Sequence, residues 1–249
     1  FYSYADFLNN INSTVNVVID YPGINDLMNG RLAYLNSYAG INHNIVIDSI
    51  NEQSNSLTIG DDLWVTANVI DANEVLLFFR SANNGIFQEI VMNDDGNSND
   101  GIAGDHKYGG KIPNIGNLTQ YYIYAENDSS GQFSPERAQY EFYELNIPLT
   151  TGQLVINELL AINDNVVQNE YGEYADWIEL YNPTSSIITC DNLYLSDDFS
   201  NLNKWRLQDI SIASDNYLII WADENIGLTH SNFNLSSAGE SLYLCNGLE

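Results

Sequence analysis

Residues 154–183 read LVINELLAINDNVVQNEYGEYADWIELYNP, two hydrophobic runs on either side of an acidic, turn-rich segment. The first run alternates, with Val155, Asn157 and Leu159 on one face and Leu154, Ile156, Glu158 and Leu160 on the other, the period-two pattern of a half-buried strand. The second, Asp176–Asn182, repeats that pattern. Between them Asp164, Glu170, Glu173 and Asp176 are too many carboxylates for a plain connection, and the stretch carries no helical periodicity. Two strands flanking an acidic loop mark the last hundred or so residues as one module.

The motifs that follow extend the pattern. After I-N-E-L, the acidic loop and D-W-I-E-L-Y-N-P come L-Y-L-S-D-D, K-W-R-L, Y-L-I-I-W-A-D and F-N-L-S-S-A-G-E-S-L-Y-L, in that order across residues 153–246. This order and spacing closely resemble the lamin tail domain family in its bacterial form. The resemblance implies an immunoglobulin-like sandwich carried by secreted or surface proteins.

Composition limits what such a chain can meet. Seven Lys and Arg oppose 34 Asp and Glu, a formal net charge of −27, which repels nucleic acid and anionic membrane and favours cations. Nucleic-acid binding is therefore not expected, although nuclear relatives of the lamin tail associate with chromatin; fold alone does not carry function. Seventeen Tyr, nine Phe and four Trp supply enough large apolar area for a packed core. Loops rich in Asn, Asp, Gly and Ser suit extracellular β-proteins, and no apolar run is long enough to insert in a membrane. An extracellular or cell-surface location is expected. Phe1 in place of an initiator methionine leads us to expect a fragment or a processed form.

Residues 1–42 differ from the rest. Asp20 and Pro22 open a helix in which Ile24, Leu27, Met28, Leu32 and Leu35 recur at helical spacing before Gly40. P-G-I-x-x-L-M-x-x-R-x-x-Y-L resembles the C-terminal end of the CotH kinase-like domain, implying the tail of an upstream domain. No nucleotide- or metal-binding residue of that family falls within this piece, so no kinase activity is carried over.

Residues 43–150 read as strands: NIVIDSI, LWVTANVI, EVLLFFRS, GIFQEIVM, HKYGGKI, TQYYIYAEN and AQYEFYEL, separated by Asn, Asp and Gly clusters. They resemble the immunoglobulin- or fibronectin-like module found between kinase-like and lamin tail domains. Pro135 and the stretch 146–153 read as linker, placing a boundary near residue 150 ahead of the tail module at 151–249. The fold class expected is thus all-β, two immunoglobulin-like sandwiches in series behind a short helical segment.

Chemistry concentrates in two acidic loops. Residues 93–105, NDDGNSNDGIAGD, place Asp94, Asp95, Asn97, Asn99, Asp100 and Asp105 in a loop relieved by glycines, a set of hard oxygens suited to calcium. It is not an EF-hand: counting from Asp95, glycine stands seventh rather than sixth and His106 occupies the twelfth place. The plainer reading is an Asx-turn loop bonded to its own backbone. Glu158, Asp164, Glu170, Glu173 and Asp176 form a second candidate cation set, against a solvated surface loop as the simpler alternative. Asp197 and Asp198 read as turn formers with Lys204 and Arg206 as partners. Cys190 and Cys245 could form a disulfide in a secreted chain or remain two buried thiols.

Catalysis is not indicated. His43, His106 and His230 lie in separate segments, and no G-x-S-x-G, H-E-x-x-H or phosphate loop occurs. Trp64, Trp177, Trp205 and Trp221 could stack on sugar, but the alternating apolar positions around Trp177 and Trp221 predict core packing. The function expected is a non-catalytic accessory region whose modules space and adhere, meeting a protein or carbohydrate surface ligand. Ligand binding by the tail module itself and a truncated secreted kinase-like enzyme are the alternatives.

Overall fold

The computed structural model describes residues 3–16, 19–38, 45–53, 56–83 and 85–247. His43, Gly40 and the two terminal residues 248–249 lie outside them. The chain is all-β behind a short helical segment, with α1 (Tyr4–Asn9), β1 (Val15–Asn16), β2 (Asp20–Tyr21) and α2 (Ile24–Ser37) coming first. Ser3 caps α1 through a capping box with Asp6, and α2 starts behind Pro22 as its sequence predicts. Neither helix buries a residue; Leu27 of α2 is 58 % exposed.

The first sandwich comprises β3 (Val46–Glu52), β4 (Leu63–Ile70), β5 (Glu74–Arg80), β6 (Gln88–Val91), β7 (Lys107–Ile112), β8 (Leu118–Glu126), β9 (Gly131–Ser134) and β10 (Tyr143–Asn146). One sheet runs β3-β4-β7. The other runs β10-β8-β5-β6, with β9 continuing the β10 edge of the long β8. Odd-numbered residues face inward on three strands: Leu63, Val65, Ala67 and Val69 on β4; Val75, Leu77 and Phe79 on β5; Tyr121, Ile123 and Ala125 on β8. Each fully buried Leu or Ile contributes about 1.5–3 kcal/mol. Tyr121 reaches out of this core to Glu52, its hydroxyl donating at 2.6 Å. β9 was not foreseen, because GQFS carries one large apolar residue and no alternation. Pro135 is not linker: it follows β9 inside this sandwich through a cis peptide bond.

The passage to the second sandwich falls at 147–149, where Ile147 packs on the first core and Leu149 on the second. The strands there are β11 (Val155–Leu160), β12 (Asp176–Asn182), β13 (Ile188–Thr189), β14 (Leu193–Ser196), β15 (Trp205–Arg206), β16 (Ser211–Ile212), β17 (Asn216–Ala222), β18 (His230–Ser231) and β19 (Tyr243–Asn246). They form a sheet β11-β12-β17-β18, in which β17 and β18 are parallel, a sheet β15-β14-β19 and the pair β13-β16. Ile178, Leu180, Ile220, Ala222, Leu195, Leu207 and Phe233 make the core. The expected simple alternation of β11 is broken by a register shift between Ile156 and Glu158, so that Ile156 opposes Leu180 while Val155, Glu158 and Leu160 share the other face.

The cysteines are free thiols. Cys190 sits in the core, where burial pushes its thiol up to about 12; Cys245 is half-buried on β19, between core-packing Leu244 and exposed Asn246. Lys204 meets Asp197 at 2.6 Å as expected, but Arg206 instead donates to the Asp191 carbonyl.

The sandwiches meet through backbone-directed side chains. Asn117 pairs with Thr189 twice, its amide donating to the Thr189 carbonyl at 2.8 Å and its oxygen accepting from the Thr189 N–H at 2.7 Å. Ser186 donates to the Asn114 carbonyl, Asn114 to the Ser185 carbonyl, and Asn83 bonds to Asp191. A Cβ at Gly116 would lie 2.8 Å from the Ile187 carbonyl oxygen, so glycine is what lets the two backbones approach.

Candidate functional site

On the outer face of the β11-β12-β17-β18 sheet, strand register lines up Leu160, Trp177, Trp221 and His230 in one row. A row this apolar on an outer face needs cover, and the acidic loop between β11 and β12 provides it. Two buried asparagines shape the loop. Asn163 donates to the Val167 and Ala175 carbonyls and accepts from the Val166 N–H; Asn169 accepts from the Tyr171 and Glu173 N–H groups and donates to Asp223. Trp177 and Trp221 are each 8 % exposed as a result. They are buried, as expected, but beneath the loop and not between the sheets.

His230 ends that row at 2 % exposure. Its Nδ1 lies 2.9 Å from Asp223 Oδ1 and its Nε2 2.9 Å from Glu170 Oε1, with Tyr171 packed against the ring at 5.4 Å. A Cβ at Gly227 would stand 2.5 Å from the imidazole, so the turn before β18 must carry glycine there. Ionised carboxylates only accept, so a ring facing one at each nitrogen holds both protons and is a cation. Burial by itself lowers the imidazole, but the hydrogen bonds and charges of Glu170 and Asp223 outweigh it and hold His230 above its ordinary value. Glu170 is held low by His230; Asp223, raised by burial, is brought low by His230 and Asn225. With no lone pair free, this ring serves as a clamp between loop and sheet, not as a base.

Of the acidic residues singled out from sequence, Glu170 and Glu173 come to this cluster, Glu173 through Asn225 at 3.3 Å. Asp176 is half-buried at the loop's base, raised by desolvation and by Asp164 nearby. Glu158 stands apart, opposite Glu179. Asp223 and His230 were missed: Asp223 follows the end of β17, and His230 opens the two-residue parallel strand β18, which has no periodicity to read. The register partner Trp221 was the one available signal, since anything beside it in the sheet shares its covered face.

In the first sandwich, the 93–105 loop folds onto β7 through the paired Asn93 and Gly109. Its carboxylates cap its own backbone. Asp94 accepts from the Gly104 and His106 N–H groups, Asp95 from Asn97 and Ser98, Asp100 from Gly96 and Ser98, and Asp105 from Lys107. Asp100 is wholly buried; desolvation disfavours its charge, and these N–H donors outweigh that and keep it below the usual carboxylate range. Among the described residues no three His, Cys, Asp or Glu side chains converge as a metal site. Asn97 and Asn99 belong to the turns, Asn99 at φ 60°.

No protein-family model, curated protein or solved structure matches the chain. What the fold and these clusters define is a pair of β-sandwiches, joined in series, whose polar clusters brace loops. Among the described residues no helix is long and apolar enough to cross a membrane.

Proposed function

We propose that the chain is a non-catalytic accessory region of a secreted or cell-surface protein, in which the two sandwiches act as a spacer and adhesive unit. The observation that carries this is the joint: Asn117 imitates a strand by pairing with both backbone groups of Thr189, at 2.8 and 2.7 Å, and fixes one module on the next. Resemblance to the lamin tail, immunoglobulin-like and CotH kinase-like families supports it, as does a charge of −27 that keeps polyanions away. The His230 cation, without a free nitrogen, favours a structural role for the one buried histidine among the described residues.

Asn117→Ala is expected to remove two hydrogen bonds worth about 1 kcal/mol each and loosen the joint without unfolding either module. Small-angle scattering should then show the parent as a single extended body and the variant as two bodies with a broadened range of separations. A parent that already scatters as a flexible pair would retire the spacer reading.

Calcium in the 93–105 loop belongs to the same proposal, on composition: Asp94, Asp95, Asp100 and Asp105 keep lone pairs beyond those their backbone partners use. Calcium at a hundredfold its dissociation constant adds about 2.7 kcal/mol, so unfolding in millimolar calcium is expected several degrees above unfolding with chelator. Equal midpoints would leave the loop held by its own backbone alone.

A further inference from the structure

The outer face of a sandwich sheet is ordinarily polar, and that of the β5-β8-β9 sheet is aromatic. Phe78 and Tyr122 pair across β5 and β8, stacked at 4.9 Å with planes 11° apart. Phe87 meets Tyr122 edge-on at 5.0 Å and Phe142 at 5.1 Å, with the Arg80 guanidinium packed over both rings at 4.5 and 4.9 Å. Phe133 on β9 lies 6.1 Å from Tyr122 at a 55° tilt and 4.7 Å from Tyr124. A Cβ at Gly131 would stand 2.5 Å from the Tyr124 hydroxyl, so this glycine keeps room for that ring to lie across the edge strand.

Beside these rings the 135–140 turn stands as a wall. Tyr122, Phe133, Glu136, Arg137, Gln139 and Tyr140 line the open cleft between them, about 540 Å³ in volume, within the usual range for a small-ligand site. The aromatic side is Tyr122 and Phe133, the latter 43 % exposed; the wall is polar, ending in Tyr140 at 71 % exposure. Arg137 is engaged by Glu141 at 2.9 Å, whereas Glu136, Gln139 and the Tyr140 hydroxyl make no hydrogen bond among the described residues.

We infer that this cleft binds a neutral oligosaccharide. A sugar ring offers apolar C–H faces to aromatic planes and hydroxyl groups at its rim to carboxylate, amide and phenol, which is the division of chemistry found here. Charge selects within that class: the one cation of the cleft is neutralised by Glu141, Glu136 is free, and the whole chain carries −27, so phosphorylated, sulfated or uronic glycans are repelled. Trp177 and Trp221, the obvious stacking residues of the other sandwich, are covered by its acidic loop and leave this face as the more accessible aromatic one. Such a cleft would supply the adhesive half of the role proposed above, while the scattering test of the joint succeeds or fails independently of it.

Native-gel affinity electrophoresis of the full chain tests this, with a soluble β-glucan, a xylan, a galactomannan and a polygalacturonate each cast into the gel. Retardation by at least one neutral polysaccharide is expected, weakened at least tenfold in Tyr140→Ala and in Phe133→Ala, kept in Tyr217→Ala of the tail sandwich, and absent with polygalacturonate. If Phe133→Ala fails to fold, Gln139→Ala takes its place beside Tyr140→Ala. No retardation by any neutral polysaccharide, retardation indifferent to the cleft variants, loss in Tyr217→Ala, or equal retardation by polygalacturonate would each overturn the assignment. So would binding of a proline-rich peptide alone, the other partner that aromatic grooves accept.

Discussion

Gly109→Ala is expected to cost the first sandwich about 3 kcal/mol or more and lower its unfolding midpoint by roughly 12 °C or more. A Cβ at this position would lie 1.7 Å from the Ser98 carbonyl oxygen, a backbone atom that cannot swing aside as a side chain would. Ser98 is held where it is by Asp95 and Asp100, which accept its N–H at 3.0 and 2.8 Å. The loop must therefore lift off β7 as a unit, breaking the Asn93–Gly109 pair and opening buried Asp100 to water. Gly104→Ala in the same loop is the natural comparison. It adopts φ +80° with open space around its Cβ, so only backbone strain of about 1–2 kcal/mol is at stake. Calorimetry of both variants decides: a Gly109 variant no less stable than the Gly104 variant would mean that the loop is not seated on β7 in solution.

That loop also marks how far the sequence could be read. Its Asp and Asn content signalled either a cation or turns bonded to their own backbone, and both follow from one composition, because a carboxylate accepts from an N–H as readily as it binds a cation. Strand parity was plainer on β4, where polar Thr66 and Asn68 leave the odd-numbered Leu63, Val65, Ala67 and Val69 for the first core. Parity fails where something else covers a face. In DWIELYN the adjacent Trp177 and Ile178 are both buried, one beneath the acidic loop and one between the sheets, and an alternating pattern cannot say which apolar neighbour faces the partner sheet. The shift at Asn157 in β11 is invisible for a related reason, since a bulge inserts one residue with no compositional mark. The aromatic outer face of β5 and β8 was hidden in the runs VLLFFR and YYIYAE, where large apolar residues stand at both parities and either set could have been the core.

The tail sandwich offers the second large effect. His230→Gln keeps polarity but is uncharged and carries both its N–H donors on one nitrogen, so it cannot reproduce the ring's two separate donors, and removing one member of a buried charged cluster costs about 3 kcal/mol. Glu170 can turn to water, being half-exposed, whereas Asp223 keeps only Asn169 and Asn225 as donors. The loss therefore falls on the sheet side, and with it the loop's hold over Trp177 and Trp221. Tryptophan fluorescence of the variant should shift to the red while β-sheet circular dichroism is unchanged at moderate temperature. The pH dependence separates a cation from a merely well-packed ring. Because the folded imidazole sits above its ordinary value of about 6.5, its contribution is complete below that pH and is lost as pH rises through the raised value. Glu170 and Asp223 are held low, so their share is present above the ordinary carboxylate range and lost as pH falls through their lowered values. The groups facing the ring are these two carboxylates and Tyr171, and the clamp is strongest in the mildly acidic window between the two limits. The stability gap between parent and His230→Gln should be widest there and shrink toward alkaline pH. A gap no wider in that mildly acidic window than at pH well above the raised imidazole value would mean that the clamp does not depend on the ring's second proton, and the buried cation would have to be abandoned.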